Sequence, residues 1–316
     1  MPFVREGNGE MRGQMTLINL IFSRFGPLLG LMLVRILPKT RANQVGEWIV
    51  SMLMKQRDSG LYQAVRANQA VIRGWAYKDE RLHDIVGEVL TNSAHYLVDW
   101  FRTMAFPSRL EDLPCFIDEA LVESAYNAQA EGRGVIIVGG HLSSYNMLLM
   151  KIAQQKWPVQ ILSYAEEEGS YHSDNAFRKR FGLNVTPIST ASLRQAYHRL
   201  KSGGFVLTGV DRPDTGGEEL SFFGRPVVLP IGHARLAIRT GARLMVLAVQ
   251  KALPDTYQVV GSDLIDLEES DGTRKDSCKL AQEVLDQIEH YIKQRPSEWM
   301  MFIPVWPEEI PQNSYP

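Results

Sequence analysis

Cysteine is scarce: the 316 residues hold two, Cys115 and Cys278, with no CxxC pair and no cysteine–histidine cluster at zinc spacing. That excludes a disulfide framework and a cysteine-based metal site, and makes a reduced compartment the expectation. An excess of positive charge is lacking too. Lys and Arg number 34 against 36 Asp and Glu, a formal net charge of −2, which does not suit a nucleic-acid binder driven by bulk electrostatics. A clean spanning segment is also missing. "LINLIFSRFGPLLGLMLV", Leu17 to Val34, is interrupted by Asn19, Arg24 and Gly26-Pro27, whereas a spanning helix needs about 20 apolar residues with few charges. The "RILPKTRANQ" that follows has no small-residue cleavage site for a signal peptidase. Three readings of this segment remain: an interfacial or re-entrant element with Arg24, Arg35, Lys39 and Arg41 toward lipid headgroups, a core helix, and in third place a transmembrane span. There is no GxSxG nucleophile elbow, and there are no internal repeats or low-complexity tracts.

What is present is a globular composition, 45% apolar and 22% charged. Residues 40 to 105 carry apolar side chains at three- and four-residue spacing, as in "VGEWIVSMLMKQ" and "LHDIVGEVLTNSAHYLVDWFRTM", which predicts helices. "FPSRLEDLP" marks a boundary, since prolines disfavour continuation. The chain thus divides into a helical N-terminal region, 1–105, and an α/β domain, 106–316. In the second part the texture alternates. The strands expected are "GVIIVGG", "VQILSY", "NVTPIS", "GFVLTGV", "ARLMVLAVQ" and "TYQVVGSDLI", with helix-like "MLLMKIAQQ", "SLRQAYHRLKSG" and "GHARLAIRTG" between them. Such alternation predicts a largely parallel central sheet flanked by helices. A last amphipathic helix, "SCKLAQEVLDQIEHYIKQRP", stops at Pro296.

In open α/β sheets, ligands gather at the carboxyl ends of the strands. His141 directly follows "GVIIVGG" and should project into that crevice, with Gly139 and Gly140 allowing close approach. A neutral imidazole there can take a proton from an attacking hydroxyl, although a histidine capping a helix is the commoner arrangement. Asn146 lies about a turn into the next helix, within reach of the ring. The other histidines, His83, His95, His172, His198, His233 and His290, show no ligand spacing, and no metal is expected.

Gly139 to Asn146, "GGHLSSYN", resembles the "GHFGNWE"-type block of the lysophospholipid acyltransferase superfamily. The bacterial lipid A late acyltransferase branch, with its phosphatidylinositol mannoside acyltransferases, is the closer match. "LKSGGFVLTGVDRP" looks like the family's glycine, strand and D-Q/R block. "LSFFGRPVVLPIGHARLAIRTGARLMVLAV" is similar to its FFG-x-P…P-x-G-x-A signature, and "RPSEWMMFIPVW" to its terminal block. Order and spacing agree over roughly residues 110 to 306.

The resemblance implies transfer of a fatty acyl group from acyl-CoA or acyl carrier protein, as co-substrate, to a hydroxyl of a lipid or glycolipid. It also implies work at the cytoplasmic face of the inner membrane by a peripheral or monotopic protein. His141 falls on the family's catalytic histidine. After four intervening residues the family has a carboxylate, where this chain has Asn146, so another acid is expected to support the ring. Glu219 is favoured over Glu218, with Asp211 a further candidate whose simpler role is to fix its own loop. Ser144 would bond substrate or cap the helix, and Arg178, Arg212 and Arg225 would meet phosphates. In the terminal block, Pro304 and Val305 replace a basic pair. A catalytically degenerate homologue that binds acyl-lipid or acyl carrier protein, and an acyltransferase of specialised metabolism, are the alternatives.

Overall fold

Four consecutive apolar residues, Val135 to Val138, are buried on both sides, as expected for a strand in the middle of a parallel sheet. In the computed structural model, which describes residues 26–106, 110–165, 170–253, 255–266 and 272–311, they form strand β2. Residues 17–25 of the N-terminal apolar segment, Arg24 included, lie outside the described part.

The central sheet has seven strands: β1 (Cys115–Ile117), β2 (Val135–Gly139), β3 (Val159–Ser163), β4 (Asn184–Pro187), β5 (Phe205–Gly209), β8 (Arg243–Leu253) and β9 (Thr256–Gly261). Their order is β1-β9-β8-β2-β5-β3-β4. Every neighbouring pair is parallel except β8 with β9. The two remaining strands, β6 (Glu218–Phe222) and β7 (Arg225–Leu229), form a separate antiparallel hairpin. The expected α/β architecture, with helices preceding and flanking a mostly parallel sheet, is the one observed.

Side chains alternate across the sheet, so each strand feeds two cores. Ile136, Val138 and Val206 point to one side. There they meet helices Gly232–Thr240 and Arg274–Gln294, the hairpin residues Leu220 and Phe222, and the indoles of Trp299 and Trp306. Val135, Ile137 and Phe205 point to the other side, against helix Tyr145–Gln154 and against Leu31, Val34, Tyr96 and Trp100 of the N-terminal helices. Those N-terminal helices also share a small core of their own, with Val65, Val86 and Val89 at its centre.

One of them, Gly60–Arg73, starts on a Ser59 side-chain cap and ends at left-handed Gly74. Between these stops it presents Asn68 and Gln69 to the end of the chain. The Asn68 amide donates to the carbonyls of Met301 (3.1 Å) and Ile303 (2.8 Å) and accepts from the Val305 amide. Gln69 donates to Pro296, and Asn92 to Ser297. The N-terminal helices thereby clamp the segment 296–305, which in turn reaches the crevice.

Candidate active site

Register brings the site together. β2 and β5 pair with Gly139 opposite Gly209, so the chain leaves both strands at the same edge, and the second residue beyond each is His141 and Asp211. His141 Nδ1 lies 2.7 Å from Asp211 Oδ1, and the His141 amide donates to Asp211 Oδ2 at 2.7 Å. A third donor arrives from the C-terminal segment: the Trp299 indole N–H, 2.8 Å from Oδ2. Asp211 has no exposed surface, whereas the His141 side chain is 34% exposed.

Full burial works to raise the Asp211 carboxyl. The facing His141 ring, its hydrogen bond, the Trp299 indole and the His141 amide outweigh burial and hold it below the usual carboxylate range. An ionised Asp211 can only accept, so Nδ1 of the neutral ring carries the hydrogen. The Nε2 lone pair is then left for a proton from elsewhere. Gly140 is needed for this contact, because a Cβ there would sit 3.0 Å from Asp211 Oδ2 and 3.2 Å from Ile288.

The backbone after His141 is held as firmly. Met300 N–H donates to the His141 carbonyl (2.8 Å) and Ser143 N–H to the Glu298 carbonyl (2.7 Å). Leu142 and Trp299 form an antiparallel bridge between these bonds. Ser143, fully buried, takes a left-handed conformation (φ 50°), which turns the chain abruptly into helix Tyr145–Gln154. The helix N-terminus, with its amide groups and positive dipole end, is thereby set beside the imidazole. The Tyr145 ring meets the imidazole edge-on, 5.3 Å between centroids. Glu298, beneath Ser143, is buried, and that burial pushes its carboxyl up.

The other residues singled out in the sequence are placed as follows. Asn146 is not a partner of His141: its side-chain oxygen accepts from Arg178 Nη2 at 2.7 Å. Arg178 is 4% exposed, bonds Asn175 as well, and lies in the field of Asp174. Its expected role of meeting a solvent-borne phosphate is therefore replaced by an internal one. Glu219 is exposed on β6, opposite Val228 of the hairpin. The carboxylate that holds His141 is Asp211 instead. Glu218 pairs with Arg235 (2.9 Å) and Arg274, and the Arg274 hydrogen bond draws its carboxyl below the ordinary value despite some desolvation. Ser144 sits at the N-cap position, yet its hydroxyl makes no capping bond. Arg212, next to Asp211 in the chain, stacks its guanidinium 4.3 Å from the Tyr164 ring centroid. Arg225 ties the hairpin to Glu309 at 2.6 Å. Trp299 is the residue sequence reasoning left without a role, although it stands in the quoted terminal block.

Comparison with known proteins shows the family. Residues 17–308 match the family described as bacterial lipid A biosynthesis acyltransferase. The chain belongs to this family. Among its relatives is a phosphatidylinositol mannoside acyltransferase of Mycolicibacterium smegmatis, 25% identical over 288 residues, which cover 89% of this chain and 90% of that protein. The enzymes of the same name from two Mycobacterium tuberculosis strains are 25% identical over 193 residues. That match covers 59% of this chain and spans 58% of their length. No helix among the described residues is long and apolar enough to cross a membrane. Among those residues no group of three or more His, Cys, Asp or Glu is placed to hold a metal ion.

Proposed function

We propose that this acyltransferase moves a fatty acyl group from an acyl thioester, carried by CoA or by acyl carrier protein, to a hydroxyl of a glycolipid at the membrane surface. The names of its relatives favour a mannosylated phosphoinositide as acceptor. The observation that carries the reading is the Asp211–His141 pair: a buried carboxylate fixes the ring through Nδ1 and leaves Nε2 available on a side chain that is partly exposed.

The reaction then runs without a covalent enzyme intermediate. The acceptor hydroxyl gives its proton to Nε2 as its oxygen attacks the thioester carbonyl. Asp211 stabilises the imidazolium so formed. Amides at the start of helix Tyr145–Gln154 face the negative charge developing on the carbonyl oxygen. Collapse breaks the C–S bond, and the departing thiolate takes the proton back from Nε2. The ester is left on the acceptor and a free thiol on the donor. Arg212, beside the pair and only partly exposed, is the cation best placed for a phosphate of donor or acceptor. An intact carboxylate–histidine pair argues against a purely binding, degenerate homologue.

The test is acyl transfer by the purified chain with radiolabelled acyl-CoA and acyl carrier protein, using mannosylated phosphoinositide acceptors. Wild type should form the ester and His141→Ala should not. Equal rates from the two overturn the reading, and so does transfer by neither while both still bind acyl chains.

A further inference from the structure

The turn after helix Gly60–Arg73 lies beside an open depression of about 330 Å³, at the small end of the ~300–1,000 Å³ range of ligand sites. Its wall is unbalanced in charge. Arg57, Arg66 and Lys78 line it against one carboxylate, Glu80. The nearby Asp79 is committed to Arg81, with which it forms a 2.6 Å ion pair, although it also feels Arg66.

Hydrogen bonding makes the wall a surface of donors. Arg57 Nη2 approaches His83 Nε2 at 3.4 Å. An arginine can only donate, so Nε2 is the acceptor and the neutral His83 ring carries its hydrogen on Nδ1. That Nδ1–H then donates to the Tyr62 hydroxyl oxygen, 2.9 Å away. Arg66 Nη1 donates to the same oxygen at 3.3 Å. With both contacts directed at its oxygen, Tyr62 keeps its own O–H for another acceptor. Arg66 spends its other two bonds on the carbonyls of Tyr77 and Asp79, which fix its position without neutralising its charge. Lys78 makes no hydrogen bond or ion pair among the described residues. One buried acceptor interrupts this pattern: Gln63, 8% exposed, has its amide nitrogen on the Arg57 carbonyl and its side-chain oxygen unpartnered.

We propose that this cavity binds a phosphate monoester. Donors reach it from two arginines, a lysine and a phenol, more than the two oxygens of a carboxylate can satisfy and well suited to a tetrahedral group with three terminal oxygens. The Gln63 oxygen takes the hydrogen of a protonated phosphate or of a hydroxyl on the ester. None of these residues belongs to the elements that hold His141, so the site does not depend on the acyl-transfer reading.

The same phosphate chemistry is offered by a soluble ester and by a lipid headgroup, and two probes separate them. Calorimetry with glycerol 3-phosphate reports the first. Sedimentation with phosphatidylcholine vesicles, with and without phosphatidic acid, reports the second. Tyr62→Phe and Lys78→Gln should each weaken binding of at least one probe about tenfold, the worth of a charge-assisted hydrogen bond. Lys156→Gln, which removes an exposed cation outside the cavity, should change neither. Loss with glycerol 3-phosphate assigns the site to soluble esters. Loss confined to vesicles containing phosphatidic acid assigns it to a headgroup. Failure of both probes to bind wild type, binding unaltered by either cavity substitution, or an equal loss in Lys156→Gln overturns the proposal.

Discussion

Asp211 accepts three N–H bonds and gives none. An amide at this position must turn its NH₂ either toward the imidazole, losing one bond, or toward the His141 amide and the indole, losing two. Asp211→Asn is thus expected to fold but to favour the wrong imidazole tautomer, lowering kcat by about 10⁴-fold, as an equivalent change does in serine proteases. Glu219→Gln, on the exposed side of the hairpin, should leave kcat within about twofold. Steady-state kinetics of the pair decide the matter, and a larger loss from Glu219→Gln would return the supporting role to that residue. Asn146 gives a different kind of test. Its oxygen faces the buried guanidinium of Arg178, so Asn146→Asp supplies that cation with a carboxylate and leaves His141 untouched. The expected kcat/KM is within about threefold of wild type, whereas a loss of about a hundredfold would show that position 146 governs the imidazole after all.

Helix Gly232–Thr240 carries His233 into the core near its first turn. Both ring nitrogens lack a hydrogen-bond partner, and burial lowers the ring to about 4. A neutral ring in the folded protein and an ordinary one in the unfolded chain make stability depend on pH. Between the ordinary value of 6.5 and about 4, the unfolded chain binds the proton and the folded protein does not. Stability is therefore complete above the ordinary value and falls by about 3 kcal/mol as the pH drops toward 4. His233→Leu should remove that dependence and stabilise the protein at neutral pH, since no unpaired nitrogen is then buried. Urea melts at several pH values measure it, and identical slopes for the two proteins would refute it. At this scale the sequence was legible where local pattern settles structure: six of the seven strands of the central sheet, helices between them and the place of His141, but not the three-residue β1. It was least legible where pairing does. Asp211 lies 70 residues from His141, and only the register of β2 against β5 makes them neighbours. The hairpin was hidden because Pro226 stands in β7, where only an exposed edge tolerates it. Its two-residue turn puts both Phe223 and Gly224 at positive φ (53° and 71°).

Over the whole molecule, apolar surface is least well covered on the first described helix, Gly26–Ile36. Leu31 and Val34 face the core, while Leu28, Leu29, Met32 and Ile36 are about half exposed or more, Ile36 at 76%. A helix apolar on both sides suits a boundary between protein and lipid better than one between protein and water. Its cationic neighbours are fewer than the sequence suggested. Lys39 is held by Asp99 and Asp255, and Arg41 bonds neutral Gln44, so among the described residues Arg35, in the last turn, and Arg41 are the cations left for a headgroup layer. Attachment should accordingly rest on apolar insertion rather than charge. Wild type is expected to sediment with vesicles of phosphatidylcholine alone, and about as well at high salt as at low. Leu29, Met32 and Ile36 together replaced by serine should lose about 1 kcal/mol each, a fall of roughly a hundredfold in partitioning. The pairs that form the active site lie on other elements, so the same variant should still acylate a detergent-dispersed acceptor at close to the wild-type rate while failing on vesicle-bound acceptor. Equal sedimentation of variant and wild type would place the membrane contact elsewhere on the protein. Strong salt dependence would make it electrostatic.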